Sequence, residues 1–399
     1  MLKNAGIISL GGYIPAKRIN PEELGPLVDY LRKGTKLQSW YTDEIAATCH
    51  LPGTVENNED GWINQPWYQA WLDKLPPRRK DDPFNGTKER RRVPKDPDSV
   101  KNSLYPHPML SSDAETLAGA IAIYNSGLAP EDIDMVLLHS LVPDRHVPLN
   151  ASLVQAKLNL SNAAAFNIDT CCSSFVTMTE IAMTYVRMGL KSNVLVVCSA
   201  LNSIINDRST YYSPVPGDGA AAAVISSVGK GYGYIASHQI SIGHRHKAIV
   251  FHKRKPELLA PTQQGPSYEQ EFVTFYDMDL CKEIAVSAKE DMARVVLNAL
   301  EKVNYKATDI DFIAMHQPTP WITKAWCEAI GVPVERSYES YKRYGNIACV
   351  SVPVNFIEGI ENNLVRPGDN VMIASSGVGE NHIALLHNVD PRLLENKRV

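Results

Sequence analysis

Apolar residues in this chain gather into short continuous runs. Val136-Leu137-Leu138, Val194-Leu195-Val196-Val197-Cys198, Ala220 to Ile225, Phe312-Ile313-Ala314-Met315 and Val371-Met372-Ile373-Ala374 are each bounded by polar turn residues. A run of this kind reads as a strand buried on both faces, and so as part of a sheet covered by helices. Helix-like stretches lie between the runs, at Ala114 to Ser126, Ser173 to Met188, Ala285 to Val303 and Val352 to Asn363. The opening Ala5-Gly6-Ile7-Ile8-Ser9-Leu10 is of strand length and reads as the first strand.

Two of these segments recur at one offset. Glu131-Asp132-Ile133-Asp134 to His139 matches Thr308-Asp309-Ile310-Asp311 to His316, and Asn193 to Ser199 matches Asn370 to Ser376, both at a spacing of 177 residues. A shared offset implies two α/β halves, 1–228 and 229–399, divided where Gly229-Lys230-Gly231-Tyr232-Gly233 follows the strand ending at Ile225. Residues from about 21 to 107 have no counterpart. They are richer in proline, tryptophan and charge, and read as an insertion in the first half with irregular structure and short helices.

The composition narrows the function. The 399 residues carry 40 Lys+Arg against 44 Asp+Glu, with 44% hydrophobic residues, which describes a folded chain with a large core rather than a disordered or nucleic-acid-binding one. No apolar run approaches the roughly 20 residues needed to span a bilayer, and the start lacks a signal-peptide pattern. Seven cysteines without a CxxC spacing suit a reducing cytoplasm and supply no zinc or dithiol motif.

Cys171-Cys172 sit where a strand-like Ala164 to Asp169 turns into a helical pattern. A thiol at a helix start feels the positive end of the helix dipole and free N–H groups, which favour thiolate. A buried apolar role is the other reading. The repeat maps Cys172 onto Cys349 and Asp169 onto Asn346, so two equivalent turns can meet at a pseudo-dyad and share a site. His316 ends a strand, where α/β folds present side chains to a ligand crevice; alone, it reads rather as a hydrogen-bonded core histidine, and beside Cys172 and Asn346 as a site residue. Asn346 beside Gly345 also suits simple turn chemistry. Gly217-Asp218-Gly219 reads as a tight backbone feature rather than a phosphate loop. His139 reads as a core or loop residue, and His244, His246 and His252 fall in a basic segment with no compelling metal spacing.

These motifs, in this order, resemble the β-ketoacyl synthase III family of the thiolase superfamily. The resemblance rests on Asp169 with Cys172-Ser173-Ser174-Phe175, His316-Gln317, Tyr344-Gly345-Asn346 followed by Ser351-Val352-Pro353, and the segments Gly217-Asp218-Gly219-Ala220 and Gly377-Val378-Gly379. It covers most of residues 1–20 and 84–390. It implies a five-layered α/β/α/β/α thiolase-like fold, a homodimer, and Cys172 as the acyl acceptor. It further implies His316 and Asn346 as stabilisers of an extender enolate, with the Cys172 and Gly377 N–H groups as the oxyanion hole. The substrates implied are CoA or phosphopantetheine thioesters, with acyl carrier protein as a partner and no metal or redox cofactor.

Some positions depart from the family pattern. Trp321 stands where an arginine that helps dock the carrier protein is common, and Phe84 replaces a basic residue near the segment Gly86-Thr87-Lys88-Glu89-Arg90, which resembles the tunnel mouth. Phe84, Lys88 and Trp321 are therefore candidate substrate contacts. The departures suggest a specialised synthase in polyketide or other secondary-metabolite assembly. The alternatives are an acyltransferase to oxygen or nitrogen, and a non-catalytic partner subunit.

Overall fold

The computed structural model describes residues 2–14, 110–202, 205, 215–252 and 272–395. In the first half the elements run β1 (Ala5–Tyr13), α1 (Ser111–Ser126), β2 (Met135–Ser140), α2 (Asn150–Lys157), β3 (Ala164–Asn167), α3 (Ser174–Arg187), β4 (Asn193–Leu201) and β5 (Asp218–Ser227). The second half continues with β6 (Gly233–Ser241), β7 (Ile249–His252), β8 (Phe272–Phe275), α4 (Met278–Glu301), β9 (Phe312–Met315), α5 (Ile322–Ile330), α6 (Tyr341–Tyr344), α7 (Ser351–Glu361), β10 (Asn370–Gly377), β11 (Asn381–Asn388) and α8 (Arg392–Glu395).

These strands form a five-stranded sheet in the order β1-β5-β4-β2-β3, a four-stranded sheet in the order β6-β11-β10-β9, and the separate β7–β8 ribbon. In the first sheet β3, β2 and β4 run parallel and β5 and β1 join antiparallel; in the second β9 and β10 run parallel and β11 and β6 join antiparallel.

Alternation along the apolar strands explains why they are apolar throughout. In β4, Val194, Val196 and Cys198 enter one core with α3 and α7, while Leu195 and Val197 enter another with α1 and α2. In β10, Val371 and Ile373 face the same central core, and Met372 and Ala374 face a third, with α4 and α5. Side chains of a strand alternate in direction, so each run is wet on neither face. The result is five layers: α1 and α2, the first sheet, α3 and α7, the second sheet, α4 and α5.

The 177-residue repeat is present in atomic detail. Asp134 Oδ1 accepts from the Asn193 N–H at 3.2 Å, and Asp311 Oδ2 from the Asn370 N–H at 2.9 Å. The Asn193 and Asn370 amides donate to the carbonyls of Asp132 and Asp309. The repeated acidic and asparagine positions thus tie the start of one strand to the next. The halves diverge at the edge: β3 flanks β2, whereas on that side of β9 the described residues make a single parallel bridge, from Ile313 to Ser337. Among the described residues, no helix is long and apolar enough to cross a membrane.

Candidate active site

Each large sheet delivers its parallel strands to the same end, and there the two halves meet. A 3-10 turn, Cys171–Ser173, leads into α3, and its counterpart Ala348–Val350 leads into α7. Both turns begin with a left-handed residue, Cys171 at φ 53° and Ala348 at φ 47°. Ser375 Oγ, from β10 of the second half, donates to the Cys172 carbonyl at 2.8 Å. The Cys198 thiol of the first half approaches the Cys349 carbonyl at 3.7 Å in the mirrored contact.

Cys172, His316, Asn346, Gly377 and Trp321 line one cavity of about 390 Å³. Its wall further along is apolar, with Ile249, Phe251, Phe275, Ile284, Ala285 and Ala288. The repeat offers two equivalent cysteines, and burial separates them. Cys172 reaches the cavity, whereas Cys349 is fully buried and burial pushes its thiol well above the ordinary range. Cys171 also lines the cavity, and its Sγ lies 3.8 Å from that of Cys172. The two thiols behave as one unit. The sulfur holding negative charge accepts the S–H of the other, which draws one ionisation below the ordinary thiol range and pushes the second well above it. The Val378 N–H is aimed at both sulfurs, a donor that sequence reasoning did not single out and that neighbours Gly377. Gly377 itself packs so closely that a Cβ would lie 2.2 Å from the Thr170 carbonyl oxygen.

His316 follows β9 directly, its N–H donating to the Ala374 carbonyl at 3.1 Å. The Asn355 amide of α7 donates to the Met315 carbonyl at 2.8 Å, fixing the strand end. Burial lowers the His316 ring to about 3, against a small opposing effect of the Ala348 carbonyl, so the imidazole is neutral and offers an N–H rather than a charge. Gln317 points elsewhere: its Oε1 accepts from the Ser340 and Tyr341 N–H groups and its Nε2 donates to Tyr338 O, which clamps the segment before Asn346.

Asn346 is held by its backbone and its side chain. Its N–H donates to Val215 O at 2.9 Å, its carbonyl accepts from the Gly217 N–H at 3.0 Å, and its Oδ1 accepts from the Ala348 N–H at 2.9 Å. The positive-φ residues around it are Gly345, φ 74°, and Ala348, φ 47°, not Asn346 itself, so asparagine is not required there for backbone reasons. Gly217 is a close approach: a Cβ would stand 1.7 Å from the Tyr344 carbonyl oxygen.

His139, the counterpart of His316, is buried with Nδ1 3.4 Å from Asp169 Oδ1 and does not line the cavity. His244 is exposed and pairs with Glu283. Asp291, Glu380 and His382 are close enough to hold a cation, with ligand atoms within 4.8 Å of one another. The Arg245 guanidinium already occupies that position, donating to Asp291 at 2.8 Å and Glu380 at 2.9 Å. Burial alone would lower the Arg245 pKa, but Glu380, Asp291 and Glu283 outweigh it and hold the guanidinium charged. Phe84, Lys88 and the insertion at about 21–107 lie outside the described residues.

A family profile described as 3-oxoacyl-[acyl-carrier-protein (ACP)] synthase III matches residues 166–243, and its C-terminal counterpart matches residues 300–389. The β-ketoacyl-[acyl-carrier-protein] synthase III of Fusobacterium nucleatum is 32% identical over 276 residues, covering 67% of this chain and 81% of that protein. That of Clostridioides difficile is also 32% identical, covering 67% of this chain and 80% of its own. In fold, the chain is similar to 3-oxoacyl-(acyl carrier protein) synthase III of Pseudomonas aeruginosa, with TM-score 0.67, 19% identity, and 97% and 99% of the two chains covered. It is similar also to a priming β-ketosynthase of a polyketide pathway, with TM-score 0.67, 15% identity, and 98% and 97% covered. The chain belongs to the β-ketoacyl-[acyl-carrier-protein] synthase III family, acyltransferases that form carbon–carbon bonds.

Proposed function

We propose that Cys172 accepts an acyl group from a CoA or carrier-protein thioester and that the acyl-enzyme then undergoes Claisen condensation with a malonyl-type or β-ketoacyl thioester. The observation that carries this reading is the convergence of Cys172, His316 and Asn346 from three elements onto one cavity. In the first step the Cys172 sulfur attacks the thioester carbonyl and the donor thiol leaves. The oxyanion is held by N–H groups at the α3 turn and at Gly377 or its neighbour Val378. In the second step the extender loses CO2, or in the β-ketoacyl case a proton to solvent, the charge grows on its thioester oxygen, and its carbon attacks the acyl carbonyl, so that the carbon–carbon bond forms as the bond to Cys172 breaks and the thiolate leaves. A neutral His316 N–H and the Asn346 amide meet that charge in a desolvated site, where such donors matter most.

The apolar wall and Trp321, in place of a carrier-docking arginine, support a specialised synthase that takes a long or bulky acyl group in secondary-metabolite assembly. The same proposal includes a homodimer, cytoplasmic operation, Phe84 and Lys88 near the tunnel mouth, and two halves meeting at residues 228 and 229. The test is product analysis with a panel of acyl-CoA and acyl-carrier donors and a malonyl-carrier extender. A β-ketoacyl product with CO2 release supports the reading. Transfer only to alcohols or amines would replace it with an ester- or amide-forming acyltransferase.

A further inference from the structure

Neighbouring side chains in a helix or strand diverge, yet Cys171 and Cys172 present both thiols to the cavity with their sulfurs 3.8 Å apart. The left-handed conformation of Cys171 folds its side chain back beside the next one. The backbone does not ask for cysteine there: Ala348 adopts the same conformation at the equivalent place in the second half. Nor does the acylation chemistry described above use the Cys171 thiol. A second sulfur beside a nucleophilic one that lines the same cavity is the arrangement of a resolving cysteine.

We infer that Cys171 and Cys172 form a reversible vicinal disulfide when the protein meets a peroxide, so that Cys171 protects and switches off the nucleophile. The Cys172 thiolate attacks one peroxide oxygen and the O–O bond breaks. Sulfur is oxidised by two electrons to the sulfenic acid, and the departing hydroxide takes a proton to become water. The Cys171 thiolate then attacks the Cys172 sulfur. The S–S bond forms, the S–O bond breaks, and the second oxygen leaves as water. Two thiols and one hydrogen peroxide thus give one disulfide and two waters. Adjacent Cα atoms are only about 3.8 Å apart, below the ordinary disulfide range, so the ring is strained and readily reduced.

The consequence for acylation rests on the proposed function, but the modification itself is read by mass alone. The reduced full-length protein is treated with increasing hydrogen peroxide, blocked with iodoacetamide and mapped by peptide mass spectrometry. The expected product is a peptide carrying Cys171 and Cys172 about 2 Da lighter and refractory to alkylation, restored by dithiothreitol. In Cys171→Ala the same treatment drives Cys172 to the sulfinic acid, about 32 Da heavier and not restored. Sulfinic acid in the wild type at the same peroxide dose as in Cys171→Ala would overturn the inference. A disulfide from Cys172 to any cysteine other than Cys171 would do so too. Should the variant fail to fold, the wild-type peptide map decides alone.

Discussion

Asp169 and Asn346 make the same hydrogen bond in the two halves. Asp169 Oδ1 accepts from the Cys171 N–H at 2.7 Å, and Asn346 Oδ1 accepts from the Ala348 N–H at 2.9 Å. Each closes the turn that launches a central helix. The turn is equally served by either residue type, and the difference lies in the second side-chain atom: a carboxylate oxygen in Asp169, an N–H2 donor in Asn346. Asparagine therefore stands on the side where the proposed enolate needs a donor.

That distinction gives a clean substitution. Asn346→Asp keeps the oxygen that closes the turn and removes the donor. Condensation is expected to fall about 100-fold or more, while Cys172 acylation and the thermal midpoint stay close to wild type. Equal loss of acylation and condensation would show that Asn346 acts only through the fold.

The neutral state of His316 sets a pH expectation. With its ring lowered to about 3 by burial, the imidazole gains no proton across the working range. Single-turnover condensation from pre-acylated protein is expected to be flat from about pH 5 to 8. An inflection near the ordinary histidine value of about 6.5 would contradict a neutral donor.

Gly217 supports Asn346 by close backbone approach. A methyl group there meets the Tyr344 carbonyl oxygen, which cannot move without disturbing the Asn346 turn. Gly217→Ala is expected to cost about 1–3 kcal/mol in urea unfolding and to lower condensation more than acylation. Unchanged stability would show that the loop yields freely.

Much of this was legible in the sequence, and for a physical reason. A strand buried on both faces has no room for polar residues, so β2, β4, β9 and β10 announce themselves as apolar runs, and the repeat pairs them. The same repeat carried Cys172 to Cys349 and Asp169 to Asn346 before any geometry was known. Less legible were β6 and β11, where His238, Gln239, His382 and His387 interrupt the apolar pattern while the backbone still pairs from Asn381–Ser241 to Asn388–Gly233. The Val378 amide was invisible because a main-chain donor leaves no residue-type signature. Burial, not spacing, separates Cys172 from Cys349, and neither the thiol pairing at Cys171 nor the Arg245 cluster has a sequence period to betray it.

Glu115 offers a stability test away from the chemistry. It lies buried in α1 and accepts from Ser140 at 2.5 Å, Ser199 at 2.6 Å and Asn150 at 3.0 Å. Burial raises its pKa from 4.5 to about 7, only partly opposed by these hydrogen bonds. Between those values the unfolded chain has lost the proton and the folded protein keeps it, so stability falls as pH rises across the window. The effect is on the order of 3 kcal/mol. Comparing unfolding free energies at about pH 5 and pH 8, Glu115→Gln is expected to lose less stability than wild type on going to the higher pH. Parallel losses in the two proteins would contradict the buried, protonated carboxyl.

The most direct test of the central claim is intact-protein mass after incubation with acyl-CoA and acyl-carrier thioesters, for wild type and Cys172→Ala, followed by malonyl thioester. A mass gain equal to the acyl group is expected on wild type alone, discharged by malonyl thioester with release of CO2. Loading that persists in Cys172→Ala, or an acyl-enzyme that malonyl thioester does not discharge, would contradict it.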